Sequence, residues 1–228
     1  MNSPLLLIAL GFAALDWTAI WINNRRLRLL SKPIVMLAIL AWLWSIDGLR
    51  GQMLWFAAGI LFSLAGDIFL VLPKEQFMGG LIAFLLAHIA YIIGLNPTLP
   101  SISMALVIII TIVALTARGF YKQIAGSLTS KGNGRLKIPV LVYTSVISIM
   151  LISALATLIR PDTDWSVASA LLVSAGALLF FVSDALLAWN KFVQTISQAD
   201  LKVMVAYHLG QVGIVLGAAL KFLRWGGS

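Results

Sequence analysis

The chain is a succession of apolar runs broken by short polar links. A hydrocarbon core about 30 Å thick takes roughly 17–25 predominantly apolar residues in a helix. Runs of that kind recur at 4–22, 33–47, 53–72, 77–95, 101–117, 138–159, 166–189 and 203–223, the second being the shortest. They predict an all-α, polytopic membrane protein of eight transmembrane helices, forming a single transmembrane domain over 1–228. The links carry helix stops and turn formers: Asp47-Gly48, Pro73-Lys74, Asn96-Pro97 with Pro100, the stretch 126–134, and Arg160-Pro161-Asp162. The first run has no basic segment ahead of it and holds Asp16, so it reads as a retained span and not as a signal peptide.

A few polar residues interrupt the pattern. Asp67 sits in the run Ser63-Leu64-Ala65-Gly66-Asp67, and Asp184 in Phe180-Phe181-Val182-Ser183-Asp184. An ionisable group at bilayer depth is costly, so each is a functional candidate by default. At 1.5 Å per helical residue, Asp67 lies about 7–8 Å inside its span and Asp184, Asp16 and Tyr143 roughly 9–11 Å inside theirs. His208 comes at about 9 Å and His88 near 16 Å on the same scale. Three acids from three spans therefore share one layer. Asp16 is open to either a site role or an ion pair with Arg25 or Lys32. Phe84, His88 and Tyr91 follow i, i+4, i+7 and line one helix face, which suits a pocket wall and ordinary packing alike. Tyr207 and Gln211 are likewise one turn apart, able to bind a head group or to join helices.

Composition agrees with the membrane reading and narrows the chemistry. The chain is 61% hydrophobic and only 11% charged, against about a quarter charged in soluble domains. With no cysteine it has no disulfide, thiolate nucleophile or thiolate metal site. The net charge of +8 does not point to nucleic acid, because the charges are distributed by side. Twelve of the sixteen Lys and Arg residues fall in the links after spans one, three, five and seven. By the positive-inside rule those links are cytoplasmic and both termini lie outside. Trp42, Trp44, Trp55 and Trp165 fall near span ends and read as interfacial anchors. Gly59, Gly66, Gly79, Gly80, Gly210, Gly213 and Gly217 read as close-packing positions between membrane helices.

The order of features also suggests a parallel duplication into four-helix repeats, 1–100 and 101–228. Lys32-Pro33 opens span two and Lys137-Ile138-Pro139 opens span six; each aspartate comes late in the span after. His88 and Tyr91 in span four have counterparts in Tyr207 and His208 of span eight.

Two histidines exclude a three-histidine zinc site and leave open one built from two histidines and carboxylates; no bound metal or cofactor is expected. Ser63 and Ser183 have no nucleophile elbow around them. What remains is a pair of carboxyls in a low-dielectric setting. Such a pair can divide its work, one acid keeping a proton to donate while the other stays ionised to guide water or balance positive charge. The same parts would serve a proton-coupled carrier.

Taken in order, Lys32-Pro33, the run ending in Asp67, the stretch from Phe77 to Tyr91 with His88, Phe180 to Asp184 followed by Asn190-Lys191-Phe192, and Tyr207 with Gln211 resemble the YhhN family, the lysoplasmalogenases. The resemblance runs from about Asp16 to Gly217. It implies an integral membrane hydrolase that cleaves the vinyl ether bond of lysoplasmalogens, giving a fatty aldehyde and a glycerophospho head group. It implies Asp67 and Asp184 as the catalytic pair, with more weight on Asp67. Around them it sets Lys32, His88, Tyr91, Asn190, Lys191, Tyr207 and Gln211 as substrate-binding residues, to which depth adds Tyr143 and His208. Lys32, Lys137 and Lys191 are the expected phosphate contacts at the cytoplasmic edge. The expected partners are a lysophospholipid substrate and the bilayer itself, the inner membrane if the cell is bacterial. A carrier or lipid-binding protein is the alternative.

Overall fold

The structure, a computed structural model, describes residues 3–47, 49–72, 76–160 and 165–222. The expected turn residues Gly48, Pro73, Lys74, Pro161 and Asp162 lie outside the described residues. Eight helices are long and apolar enough to cross a membrane, and no strand occurs among the described residues. They are α1 (Ser3–Trp21), α2 (Arg25–Asp47), α3 (Met53–Val71), α4 (Phe77–Leu95), α5 (Met104–Ser130), α6 (Lys137–Ala156), α7 (Val167–Phe192) and α8 (Ala199–Phe222), with one 3₁₀ turn, Gly134–Leu136, ahead of α6. The protein is an integral membrane protein.

Spans one, three and four match their sequence boundaries to within a residue, but two helices run much further than hydropathy foresees. Helix α2 begins eight residues earlier than expected, because Asn24 Oδ1 accepts the Leu27 N–H at 3.1 Å and caps a start rich in arginine. Lys32 and Pro33 therefore lie inside the helix, whereas Lys137 opens α6, so these two markers of the suggested repeat fall at different helical positions. Helix α5 continues thirteen residues past the expected end and carries Arg118 and Lys122, which were assigned to a link. Its buried stripe explains the extension: Val113 and Ala117 within the apolar run are followed at helical spacing by Ile124 and Leu128 beyond it.

The helices pair closely as α7 with α8, α3 with α4, and α1 with α2, while α4 also touches α6 and α8 reaches α1, α2 and α3. The tightest seam needs glycine. A Cβ on Gly213 of α8 would lie 2.9 Å from the Gly176 Cα of α7, a distance no real side chain tolerates. Small residues let backbones meet this closely in lipid, where packing and hydrogen bonds drive association. The core is built from Trp42, Phe56, Tyr91, Phe180 and Tyr207 together with aliphatic residues. Trp42 is fully buried among them and is no interfacial anchor; Trp44 and Trp55 are exposed. At the end of the bundle away from the arginine-rich start of α2, Arg160 is buried and donates to Thr98 O and Oγ1, each at 2.9 Å, tying two links together.

Candidate active site

Asp67 lies one turn from the C-terminal end of α3 and is 1% exposed. Lys32 Nζ of α2 stands 2.9 Å from its Oδ1, and Tyr207 of α8 donates to its Oδ2 at 2.9 Å. The lysine does not pair with Asp16, as one reading had allowed; Asp16 instead accepts from Ser31 Oγ at 3.0 Å. An ammonium inside a helix bundle can be retained only with a counter-charge, and Asp67 supplies it.

Asp184 of α7 has a different set. Tyr143 of α6 donates a short hydrogen bond to its Oδ2, and His88 Nε2 of α4 lies 3.1 Å from the same oxygen and 3.0 Å from the tyrosine hydroxyl. Each acid thus takes partners from the helix before its own and from a helix of the other half of the chain. Phe180 separates the two sets: its ring centroid is 4.8 Å from that of His88 and 5.3 Å from that of Tyr207. Phe84 packs edge-on against both Phe180 and Tyr207. Phe84 in turn depends on Gly66, where a Cβ would come within 2.6 Å of the ring.

Both carboxylates open onto one cavity of about 470 Å³. Its inner wall is Lys32, Asp67, Phe84, Ser183, Asp184 and Tyr207; its mouth is Asn23, Asn24, Arg25, Arg28 and Asp200. A second, apolar crevice of about 60 Å³ runs between α4, α5, α6 and α7 along Phe77, Phe120, Val140, Ile147 and Phe192. Leu70, Phe84, Asp184 and Leu187 line both spaces. Asp184 is therefore the acid at which a charged chamber meets an apolar one.

The remaining candidates fall in three places. Tyr91 donates to Gln211 Oε1, and Gln211 Nε2 donates to Ser63 Oγ at 2.8 Å, a fully buried chain joining α4, α8 and α3 behind the acids. His208 accepts from Trp17 Nε1 at 3.1 Å on Nδ1 and lines neither cavity. The two histidines thus have separate partners, and among the described residues no group of three His, Cys, Asp or Glu could hold a metal ion. Asn190, Lys191 and Lys137 also lie outside both cavities. Asn190 Oδ1 accepts the Ile196 N–H at 2.9 Å and shapes the turn into α8, while Lys191 Nζ lies over the Phe77 ring.

Sequence reasoning missed Arg25, Arg28 and Asp200 as cavity residues. Their signal was visible, but a basic run at a span edge reads first as a topology mark.

A family model described as the YhhN family matches residues 27–218, which include Asp67, Asp184 and the partners of both acids. The chain belongs to the YhhN family. Among its relatives is the pig protein named lysoplasmalogenase TMEM86B, 31% identical over 192 residues, covering 83% of this chain and 74% of that protein. Human lysoplasmalogenase TMEM86B is 29% identical, with 82% and 72% covered. A Mycobacterium tuberculosis lysoplasmalogenase is 28% identical, with 72% and 59% covered. No solved structure matches the chain. Within this YhhN protein the acids, their partners and the cavity come from seven of the eight helices, so the site exists only when the bundle is closed.

Proposed function

We propose that this chain is a lysoplasmalogenase-type hydrolase that splits the vinyl ether bond of a lysoplasmalogen, or of a related ether lysolipid, into a fatty aldehyde and a glycerophospho head group. One observation carries the reading: two carboxylates with unlike partners line one charged chamber, and one of them, Asp184, stands where that chamber adjoins an apolar crevice. An alkenyl lysolipid has the matching shape, with its phosphate toward Arg25 and Arg28, its chain in the crevice, and its vinyl ether beside Asp184. The relatives named lysoplasmalogenase support the same substrate class.

The partners distinguish the roles of the two acids. A buried cluster favours net neutrality. Asp67 reaches it with Lys32, the carboxylate balancing the ammonium. Asp184 and His88 have no such fixed cation in contact, and the couple is neutral when it holds one proton between them. That proton is the one available for transfer. Asp184 delivers it to the vinyl carbon remote from oxygen, which leaves an oxocarbenium ion at the carbon bonded to oxygen. Asp67, ionised beside Lys32, balances the cation and orients water, as the carboxylate of a paired-acid site does in glycoside hydrolysis. Water adds at the cationic carbon and gives one proton back to the Asp184–His88 couple. The hemiacetal then collapses to the aldehyde and the freed glycerol hydroxyl. No cofactor takes part in this sequence.

The chamber opens at the arginine-rich start of α2, and the positive-inside rule makes that end cytoplasmic. Substrate therefore enters from the cytoplasmic leaflet of a cell membrane, the inner one in a bacterium. The test is aldehyde release from a lysoplasmalogen by purified protein, with Asp67→Asn and Asp184→Asn as comparisons. Release by wild type, lost in both folded variants, is the expected result. No aldehyde from folded, lipid-supplied wild type would sink the reading and turn attention to carriage of lipid across the membrane.

A further inference from the structure

We propose that Asp200 reads the ammonium group of a zwitterionic lysolipid head group while Arg25 and Arg28 take its phosphate, so that the mouth of the chamber sets head-group specificity. This rests on the lipid reading of the same cavity.

Asp200, in the first turn of α8, faces Arg28, in the first turn of α2, with Oδ2 and Nη1 2.6 Å apart. Both side chains line the cavity mouth, and they are 57% and 26% exposed. A solvent-exposed ion pair adds little net stability. Its function as a helix tie is therefore weak, and exchanging each partner for a ligand group of the matching charge loses little. Guanidinium groups bind phosphate through two parallel hydrogen bonds, which suits Arg25 and Arg28. Lys32, the third cation among the described lining residues, is held within by Asp67 and is not at the mouth.

The arrangement is selective because, among the described residues, its arginines are set against one acid, Asp200. A phosphate ester carrying an ethanolamine has its ammonium two carbons beyond the phosphate, and that charge meets Asp200. A bare phosphate monoester has no group for Asp200 and carries extra negative charge toward it. The mouth thus favours the zwitterion over the anion, and among the described residues no other acid lines that part of the cavity.

Binding tests this without depending on catalysis. Non-cleavable 1-alkyl lysolipids bearing either phosphoethanolamine or a bare phosphate are titrated into the purified full-length protein in detergent. Aldehyde release from the corresponding alkenyl lipids is followed on the same preparations. Wild type is expected to bind the ethanolamine lipid more tightly. Asp200→Asn should weaken that lipid by roughly five- to tenfold, the scale of a partly solvated charged contact, and leave the bare phosphate unchanged or improved. Asp200→Glu should restore the preference, and Asp200→Ser should repeat the loss. Equal weakening of both lipids, or none of either, would overturn the proposal in favour of a helix tie. Discrimination by Asp200 without aldehyde release would uphold the head-group reading and defeat the hydrolase. Aldehyde release with no discrimination would do the reverse.

Discussion

Lys32 and Asp67 form an ion pair at 2.9 Å with side chains 4% and 1% exposed, one from α2 and the other from α3. Removing one partner of such a pair leaves the other charged and buried, whereas removing both leaves an apolar contact. Lys32→Met is therefore expected to lower stability by about 3–5 kcal/mol. The double variant Lys32→Met/Asp67→Leu should recover most of that loss while remaining inactive. Thermal unfolding in detergent distinguishes this from independent contributions, in which the two losses would add.

In the proposed mechanism Asp184, with His88 3.1 Å from its Oδ2, is the acid that protonates the vinyl ether. Asp184→Asn should lower kcat by about 10²–10⁴-fold, the range of general acid catalysis. His88→Gln should lower kcat with little change in KM, since His88 is fully buried behind the acid and acts through it. Tyr143→Phe removes one donor to Asp184 but leaves the couple intact, and should cost less than either. In heavy water the aldehyde should carry deuterium at the carbon next to the carbonyl. Product without that label would exclude protonation at carbon.

Ile147 and Val140 line the apolar crevice but not the charged chamber. Ile147→Trp fills space that the proposed function gives to the fatty chain, at a position that does not line the charged chamber. It should raise KM for long alkenyl chains more than for short ones, with kcat for the short chain nearly unchanged. Equal effects at all chain lengths would place the fatty chain elsewhere.

Gly213 meets Gly176 backbone to backbone, while Gly119 on α5 has nothing within 4 Å of an added Cβ. Gly213→Leu should destabilise the fold by at least about 1–3 kcal/mol, the usual scale of overpacking. Gly119→Ala should change stability by no more than about 0.5 kcal/mol. Unfolding of the two variants side by side checks whether the α7–α8 seam holds the site closed.

The eight spans, the two acids and the histidine and tyrosine beside them were legible in the sequence, because each rests on a local rule. Twenty apolar residues make a spanning helix wherever they occur, and a charge within them is conspicuous. The helix ends of α2 and α5 were less legible. Hydropathy averages over a window and stops at arginine, whereas a helix continues as long as its backbone bonds and buried stripe continue.

What the tertiary structure alone decided is partnership. Nothing local says that Lys32 turns to Asp67 and not to Asp16, or that His88 stands by Asp184, because those contacts join residues 35 and 96 positions apart. Nor does sequence show that Asp200 meets Arg28 at the mouth, or that Asn190 and Lys191, two turns past Asp184 on the same helix, line neither cavity. Hydrophobicity places a residue at a depth by counting along its own helix. Which neighbour it meets at that depth depends on how the helices are arranged and rotated in the bundle, and that is fixed by packing between distant segments, above all where glycine lets α7 and α8 close.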